Sequence, residues 1–89
     1  MSNVFLNREL DIFLEENLNQ SKNKVLNEFK KFAKKNIKLF KNAVIEEGKD
    51  NVLINFPKEI FIECWIDEDG SYVYHNLNGF EEMIEIGGK

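Results

Sequence analysis

The chain has 89 residues and a formal net charge of −4, and 43% of its residues are hydrophobic. This composition predicts one globular domain over residues 1–89 and excludes a disordered, low-complexity chain. The single cysteine excludes an internal disulfide, and no apolar run approaches the ~18 residues of a membrane span, so we expect a cytoplasmic protein that does not engage a membrane.

The charges are strongly segregated along the chain. Residues 21–45 carry eight lysines against the single acid Glu28, whereas residues 46–89 carry eleven acids against three lysines. This asymmetry predicts one basic element on an otherwise acidic body, and it bears on the choice of partner more than on the fold.

The first half of the chain has the periodicity of two helices. From about Asn3 to Asn19, apolar residues recur every three or four positions. They are Leu6, Leu10, Phe13, Leu14 and Leu18. Ser21 or Asn19 is expected to cap a second helix, which keeps helical spacing for about five turns and ends near Gly48. Its apolar series is Val25, Leu26, Phe29, Phe32, Ala33, Ile37, Phe40, Ala43 and Val44.

The second half has the alternation of β-strands. A strand with Val52, Ile54 and Phe56 is followed by the turn Pro57-Lys58-Glu59, a strand over 60–66 and a return strand over 72–75. A two-residue hairpin loop at Asp69-Gly70 would place Ile66 opposite Val73, Trp65 opposite Tyr74 and Cys64 opposite His75. One face of the hairpin is then aliphatic and expected to pack on the helices, and the other is aromatic.

The last segment allows two structures. Phe80, Met83 and Ile84 fit a short helix capped by Asn78, with Glu81 in the capping-box position, whereas alternating apolar residues as far as Ile86 suit a strand. We favour the helix. The predicted fold is therefore α+β, with two N-terminal helices packed on a three-stranded antiparallel meander and a short C-terminal helix.

No group of residues predicts catalysis, a metal site or a cofactor. Cys64 and His75 would face each other in the predicted hairpin, but a nucleophilic dyad also needs an orienting group and an oxyanion site, which the sequence does not offer. The segment Asp67-Glu68-Asp69-Gly70-Ser71 departs from a calcium loop, because its glycine is fourth rather than sixth. We expect a solvated hairpin tip and a protein that is not an enzyme.

The aromatic face of the hairpin is the first candidate for function. If nothing covers it, its aromatic side chains form an interaction patch whose flanking acids suit a basic partner; alternatively, a helix covers it as a second core layer. The candidate partner-binding residues are Phe61, Glu63, Trp65, Asp67, Glu68, Asp69, Tyr72 and Tyr74. A homodimer formed through this face fits the same pattern.

The polar face of the second helix is the alternative candidate. Its lysines are Lys30, Lys31, Lys34, Lys35, Lys38 and Lys41. They suit the phosphates of a nucleic acid or an acidic protein patch, although such rows are commonly just solvated.

We therefore expect a small acidic binding protein that inhibits a larger, basic enzyme acting on nucleic acid. Phage anti-defence proteins such as anti-CRISPRs, and toxin-immunity proteins, are inhibitors of this type. The alternative is a nucleic-acid-binding protein that uses the lysine-rich helix face.

Overall fold

The computed structural model describes residues 2–87, which form two helices and one antiparallel sheet. The helices are α1 (Ser2–Glu16) and α2 (Lys22–Ile37), and the strands are β1 (Val44–Glu47), β2 (Asn51–Phe56), β3 (Ile60–Asp67), β4 (Gly70–His75) and β5 (Glu82–Gly87). The strands pair in chain order. The predicted α+β class is confirmed, but the sheet has five strands instead of three.

One hydrophobic core lies between the two helices and one face of the sheet. Within it, Phe29 is fully buried between Phe13 and Phe32, with ring centroids 5.5 and 5.3 Å away. The sheet contributes alternating residues of β2, β3 and β4, as the aliphatic pattern predicts. Those residues are Val52, Ile54, Phe56, Ile62, Cys64, Ile66 and Val73. The helices therefore cover this face of the sheet.

The second helix is much shorter than predicted. Ser21 caps its start as expected, accepting a hydrogen bond from the Lys24 backbone N–H at 3.4 Å, but the helix ends at Ile37. Asn42 then takes a left-handed conformation with φ +69°, and Val44 belongs to β1. Val44 and Ile45 are β-branched, which lowers their helix propensity, and Glu46 and Glu47 would interact unfavourably with the negative end of the helix dipole. In β1 the same residues pair with β2.

The predicted pairing of the β3–β4 hairpin is wrong by two residues. The loop is Glu68-Asp69, so that Trp65 pairs with Tyr72 and Cys64 with Val73. A shift of two residues preserves the side of the sheet on which every side chain lies. The predicted aliphatic and aromatic faces are therefore confirmed although the partners within them are not.

The predicted C-terminal helix is absent, and β5 takes its place. Glu85 pairs with Tyr72 and Gly87 with Ser71, which leaves Ile86 as an extra residue on β5. Ile86 is buried in the core. An isolated helix this short has little stability, whereas a strand satisfies the free backbone groups of β4 and buries an isoleucine.

Candidate partner-binding face

The side of the sheet that faces away from the helices carries the aromatic residues of β3 and β4. We call this side the aromatic face, and its rings belong to Phe61, Trp65, Tyr72 and Tyr74. Each of these residues alternates along its strand with a buried core residue, which sends the ring outward. Both described helices contribute their buried residues to the core on the other side. Among residues 2–87, no second layer covers the aromatic face.

The four rings pack against one another. Trp65 and Tyr72, which are cross-strand partners, stack with centroids 4.8 Å apart and planes 24° apart. Tyr74 meets Trp65 edge-on at 6.4 Å and lies 5.3 Å from Phe61. Cross-strand aromatic pairs stabilise a sheet and hold each ring in place. This packing explains why the rings are half-buried although no helix lies over them.

Further residues of the aromatic face come from the strands that the sequence did not predict. Met83 of β5 pairs with Tyr74 and is 60% exposed, and Val44 of β1 is 54% exposed at the opposite edge. Glu46 and Glu85 also point outward at these edges. The alternation as far as Ile86 was a signal for β5, whereas Val44 gave none because its spacing continued that of α2.

The aromatic face is acidic. No lysine or arginine occupies an outward-facing position of the five strands. The acids at these positions are Glu46, Glu63, Asp67 and Glu85. A hydrogen bond from Asn51 Nδ2 reaches Glu63 Oε2 at 3.0 Å, and one from Asn55 Nδ2 reaches Glu46 Oε2 at 2.8 Å.

Two tyrosine hydroxyls share this negative environment. The Tyr74 hydroxyl donates to Glu81, and this bond is the largest cause of the raised pKa of Tyr74, with desolvation and the charges of Glu81 and Glu63 adding to it. Desolvation raises the pKa of Tyr72, and the carboxylates of Asp67, Glu85 and Asp69 raise it further. Both phenols therefore stay protonated at neutral pH and can donate hydrogen bonds.

The predicted acidic residues of the hairpin tip lie at one end of the aromatic face. Glu68 and Asp69 form the exposed two-residue turn beyond Trp65 and Tyr72. The Asp67 Oδ1 atom accepts hydrogen bonds from the backbone N–H groups of Asp69 at 2.8 Å and Gly70 at 3.1 Å. Asp67 therefore shapes the turn, whereas Glu68 and Asp69 are the carboxylates presented to solvent.

The expected facing pair of Cys64 and His75 does not form. Cys64 is opposite Val73, and His75 is opposite Ile62. Burial, with a smaller contribution from the charge of Glu63, raises the pKa of the Cys64 thiol to about 12. Desolvation lowers the pKa of His75, whose Nδ1 accepts a hydrogen bond from the Leu77 N–H at 3.1 Å. A protonated, buried thiol is a poor nucleophile.

The lysines of the predicted row that belong to α2 lie on the side of the helix away from the sheet, because the opposite side of α2 is buried in the core. Lys22, at the start of α2, is not part of this row, and its Nζ donates a hydrogen bond to the Asp67 backbone carbonyl at 2.7 Å. Lys31 pairs with Glu28 and Lys35 with Glu9, each at 3.2 Å. Lys34 is exposed and Lys30 is half-buried, whereas Lys38 is the exposed C-cap residue and Lys41 lies beyond the end of the helix. The predicted row is therefore shorter than expected, and two of its members are paired with carboxylates.

No protein-family model matches the chain, and no significant match is found among the curated proteins or the solved structures. Neither described helix has the length and apolar character needed to cross a membrane. Residues 2–87 contain no group of three or more potential metal-ligating side chains.

Proposed function

We propose that this protein binds a larger, basic protein through the aromatic face and thereby inhibits it. The observation that carries the proposal is a set of four packed aromatic rings on the side of the sheet opposite both helices, where every charged side chain at an outward-facing strand position is a carboxylate. Tryptophan and tyrosine are the residue types that dominate binding energy at protein interfaces. An uncovered patch that contains them is typical of an interaction site.

The face of the sheet suits a partner better than its edges do. The edge strand β1 has only four residues and carries Glu46 and Glu47. The other edge strand, β5, contains a bulge and two glutamates. Short strands, charges and bulges are features by which proteins prevent an edge from pairing with another chain. We therefore assign the contact to side chains of the face and not to added backbone pairing.

The projected area of the aromatic face is more than half of the area that a standard interface buries on one partner. Five strands that are spaced about 4.8 Å apart and average about 20 Å in length give a projected area of roughly 480 Å². A standard interface buries about 800 Å² on each partner. The hairpin tip at one end of the face, with Glu68 and Asp69, supplies part of the remaining area and extends the acidic surface.

The charge of the face selects the class of partner. A basic protein would meet the carboxylates of this face with opposite charge, whereas a second copy of this chain would bring the same carboxylates together. Enzymes that act on nucleic acid have basic grooves for phosphates. An acidic protein lodged in such a groove excludes the substrate, as phage anti-defence proteins of the anti-CRISPR type and toxin-immunity proteins do.

Affinity capture with the tagged protein from a nuclease-treated host lysate, followed by reconstitution with the purified partner, tests this proposal. The double variants Trp65→Ala/Tyr74→Ala and Glu68→Ser/Asp69→Ser should each weaken binding by at least about tenfold while remaining folded, since Asp67, which shapes the turn, is kept. The matched control is Lys34→Glu/Lys38→Glu, on the opposite side of the molecule. Retained binding and inhibition in both face variants would exclude the proposal.

A second candidate function is nucleic-acid binding through α2. Two exposed lysines favour it, Lys34 on the side of α2 opposite its buried residues and Lys38 at the C-cap. It predicts that the Lys34→Glu/Lys38→Glu variant loses binding to a DNA or RNA duplex, and that the affinity of the unmodified protein falls steeply with salt. A binding curve that does not respond to salt would eliminate this function.

A further inference from the structure

Glu63 differs in its position from the other carboxylates of the aromatic face. It is at the centre of the aromatic face, between Phe61 and Trp65 on β3. Its cross-strand partners are Leu53 on β2 and Tyr74 on β4. A half-buried carboxylate is thus surrounded on the same face by an aliphatic and three aromatic side chains.

The charge of Glu63 has no cationic partner among residues 2–87. Its one hydrogen bond comes from a neutral amide, Asn51 Nδ2, at 3.0 Å from Oε2. The salt bridges in the described part of the chain join other residues. Its negative charge is one of the causes that raise the pKa of Cys64 and of Tyr74. A partner that covered the face would remove the remaining water from this carboxylate, which is strongly unfavourable unless the partner supplies a cation.

We infer that Glu63 and the rings beside it form a binding site for an arginine side chain of the partner. The guanidinium group would form charge-assisted hydrogen bonds to the Glu63 carboxylate and lie against the rings of Trp65 and Tyr74, whose planes are 86° apart. This inference rests on the proposed function and specifies the chemistry of the partner.

Arginine fits this site better than lysine. Its planar guanidinium stacks on an aromatic ring while its N–H groups bond in the plane, and it gives up its hydration water more readily than an ammonium group does. An anionic ligand does not fit, because no outward-facing position of the five strands carries a cation.

Two other outward-facing acids, Glu46 and Glu85, are not half-buried among aromatic rings. Glu46 is exposed on the edge strand β1 and accepts a hydrogen bond from Asn55. Glu85 is exposed on the edge strand β5, opposite Tyr72. Glu63 is central and half-buried among the rings, which makes Glu85 the matched control for it.

The test uses a blocked Gly-Arg-Gly-Arg-Gly peptide, and its lysine twin, as probes. Trp65 is the only tryptophan in the chain, so its fluorescence reports events at this site. Binding of the arginine peptide should change the fluorescence saturably, and Glu63→Gln should weaken it by at least about tenfold. Glu85→Gln and the exchange of arginine for lysine serve as the two comparisons.

The expected result is that Glu85→Gln changes the affinity less than about threefold and that the lysine peptide binds more weakly than the arginine peptide. Equal affinity of the original protein and Glu63→Gln, equal affinity for the two peptides, or no saturable signal would each overturn the inference.

The captured partner separates this inference from the proposed function. If Trp65→Ala/Tyr74→Ala abolishes partner binding while Glu63→Gln leaves it unchanged, the interface stands and the arginine site is wrong. If neither Trp65→Ala/Tyr74→Ala nor the hairpin-tip variant affects partner binding, the proposed function itself fails.

Discussion

Removal of the Trp65 side chain tests whether the aromatic face is an open surface or a second core layer. In the structure, Trp65 loses two ring contacts when it is changed to alanine: the stack on Tyr72 at 4.8 Å and the edge contact with Tyr74 at 6.4 Å. Aromatic pairs contribute about 0.5–1.5 kcal/mol each beyond the surface they bury, so the two lost ring contacts should lower the free energy of unfolding by about 1–3 kcal/mol, with a further contribution from the partly buried surface of the indole.

The comparison is a ring that lies in the true core. Phe29 is fully buried between Phe13 and Phe32, and its change to alanine should cost about 3–5 kcal/mol because a cavity remains. Urea unfolding followed by far-ultraviolet circular dichroism measures both variants on one scale, since the Trp65→Ala variant has no tryptophan fluorescence.

A loss of stability in Trp65→Ala equal to that in Phe29→Ala would refute the reasoning. It would mean that the rings are covered, and the surface proposed for partner binding would then be internal. Quenching of Trp65 fluorescence by acrylamide gives an independent reading, because the indole of an open face is accessible to the quencher and that of a covered layer is not.

Two buried polar residues, Asn36 and His75, give further predictions. Asn36 is fully buried, and its Oδ1 has no hydrogen-bond partner within residues 2–87, so Asn36→Ala should raise the free energy of unfolding by about 1 kcal/mol. Asn17→Ala loses a comparable Nδ2 hydrogen bond but no such acceptor, so it should lower the free energy of unfolding. Desolvation lowers the pKa of His75 from 6.5, so the folded state binds this proton less readily than the unfolded state. The contribution of neutral His75 to stability is complete above pH 6.5 and falls as the pH decreases towards the folded pKa. His75→Asn keeps an acceptor for the Leu77 N–H and should reduce this pH dependence of the free energy of unfolding, measured by urea titration. An unchanged pH profile would contradict the assignment to His75.

The faces of the sheet could be predicted from the sequence because they depend only on parity. Alternation along β3 and β4 assigns Trp65 to one side and Cys64 to the other, whichever even-numbered loop joins the strands. The register could not be predicted in the same way. It follows from the Asp67 side chain, which binds two backbone N–H groups of the turn and so moves the loop to Glu68-Asp69.

The two edge strands could not be predicted because their local patterns allow a helix. Val44 continues the helical spacing of α2, and the segment around Met83 has a plausible helix cap before it. Each becomes a strand because a neighbouring strand offers backbone groups to pair with, and that partner is distant in sequence. The exposure of the aromatic face also could not be predicted from local patterns, because it depends on which side of the sheet the helices pack.

The two candidate surfaces belong to opposite sides of a molecule whose shorter dimensions are 22 and 20 Å. A single flat partner can therefore engage only one of them at a time. A basic partner repels the lysines of α2 and attracts the carboxylates of the sheet. The charge distribution therefore orients the aromatic face towards such a partner before contact. Towards a nucleic acid the same distribution turns α2 forward and keeps the rings away from the bases. The segregated charges thus favour one orientation for each class of partner, and the proposed function requires the orientation in which the rings of Trp65 and Tyr74 meet the partner's surface.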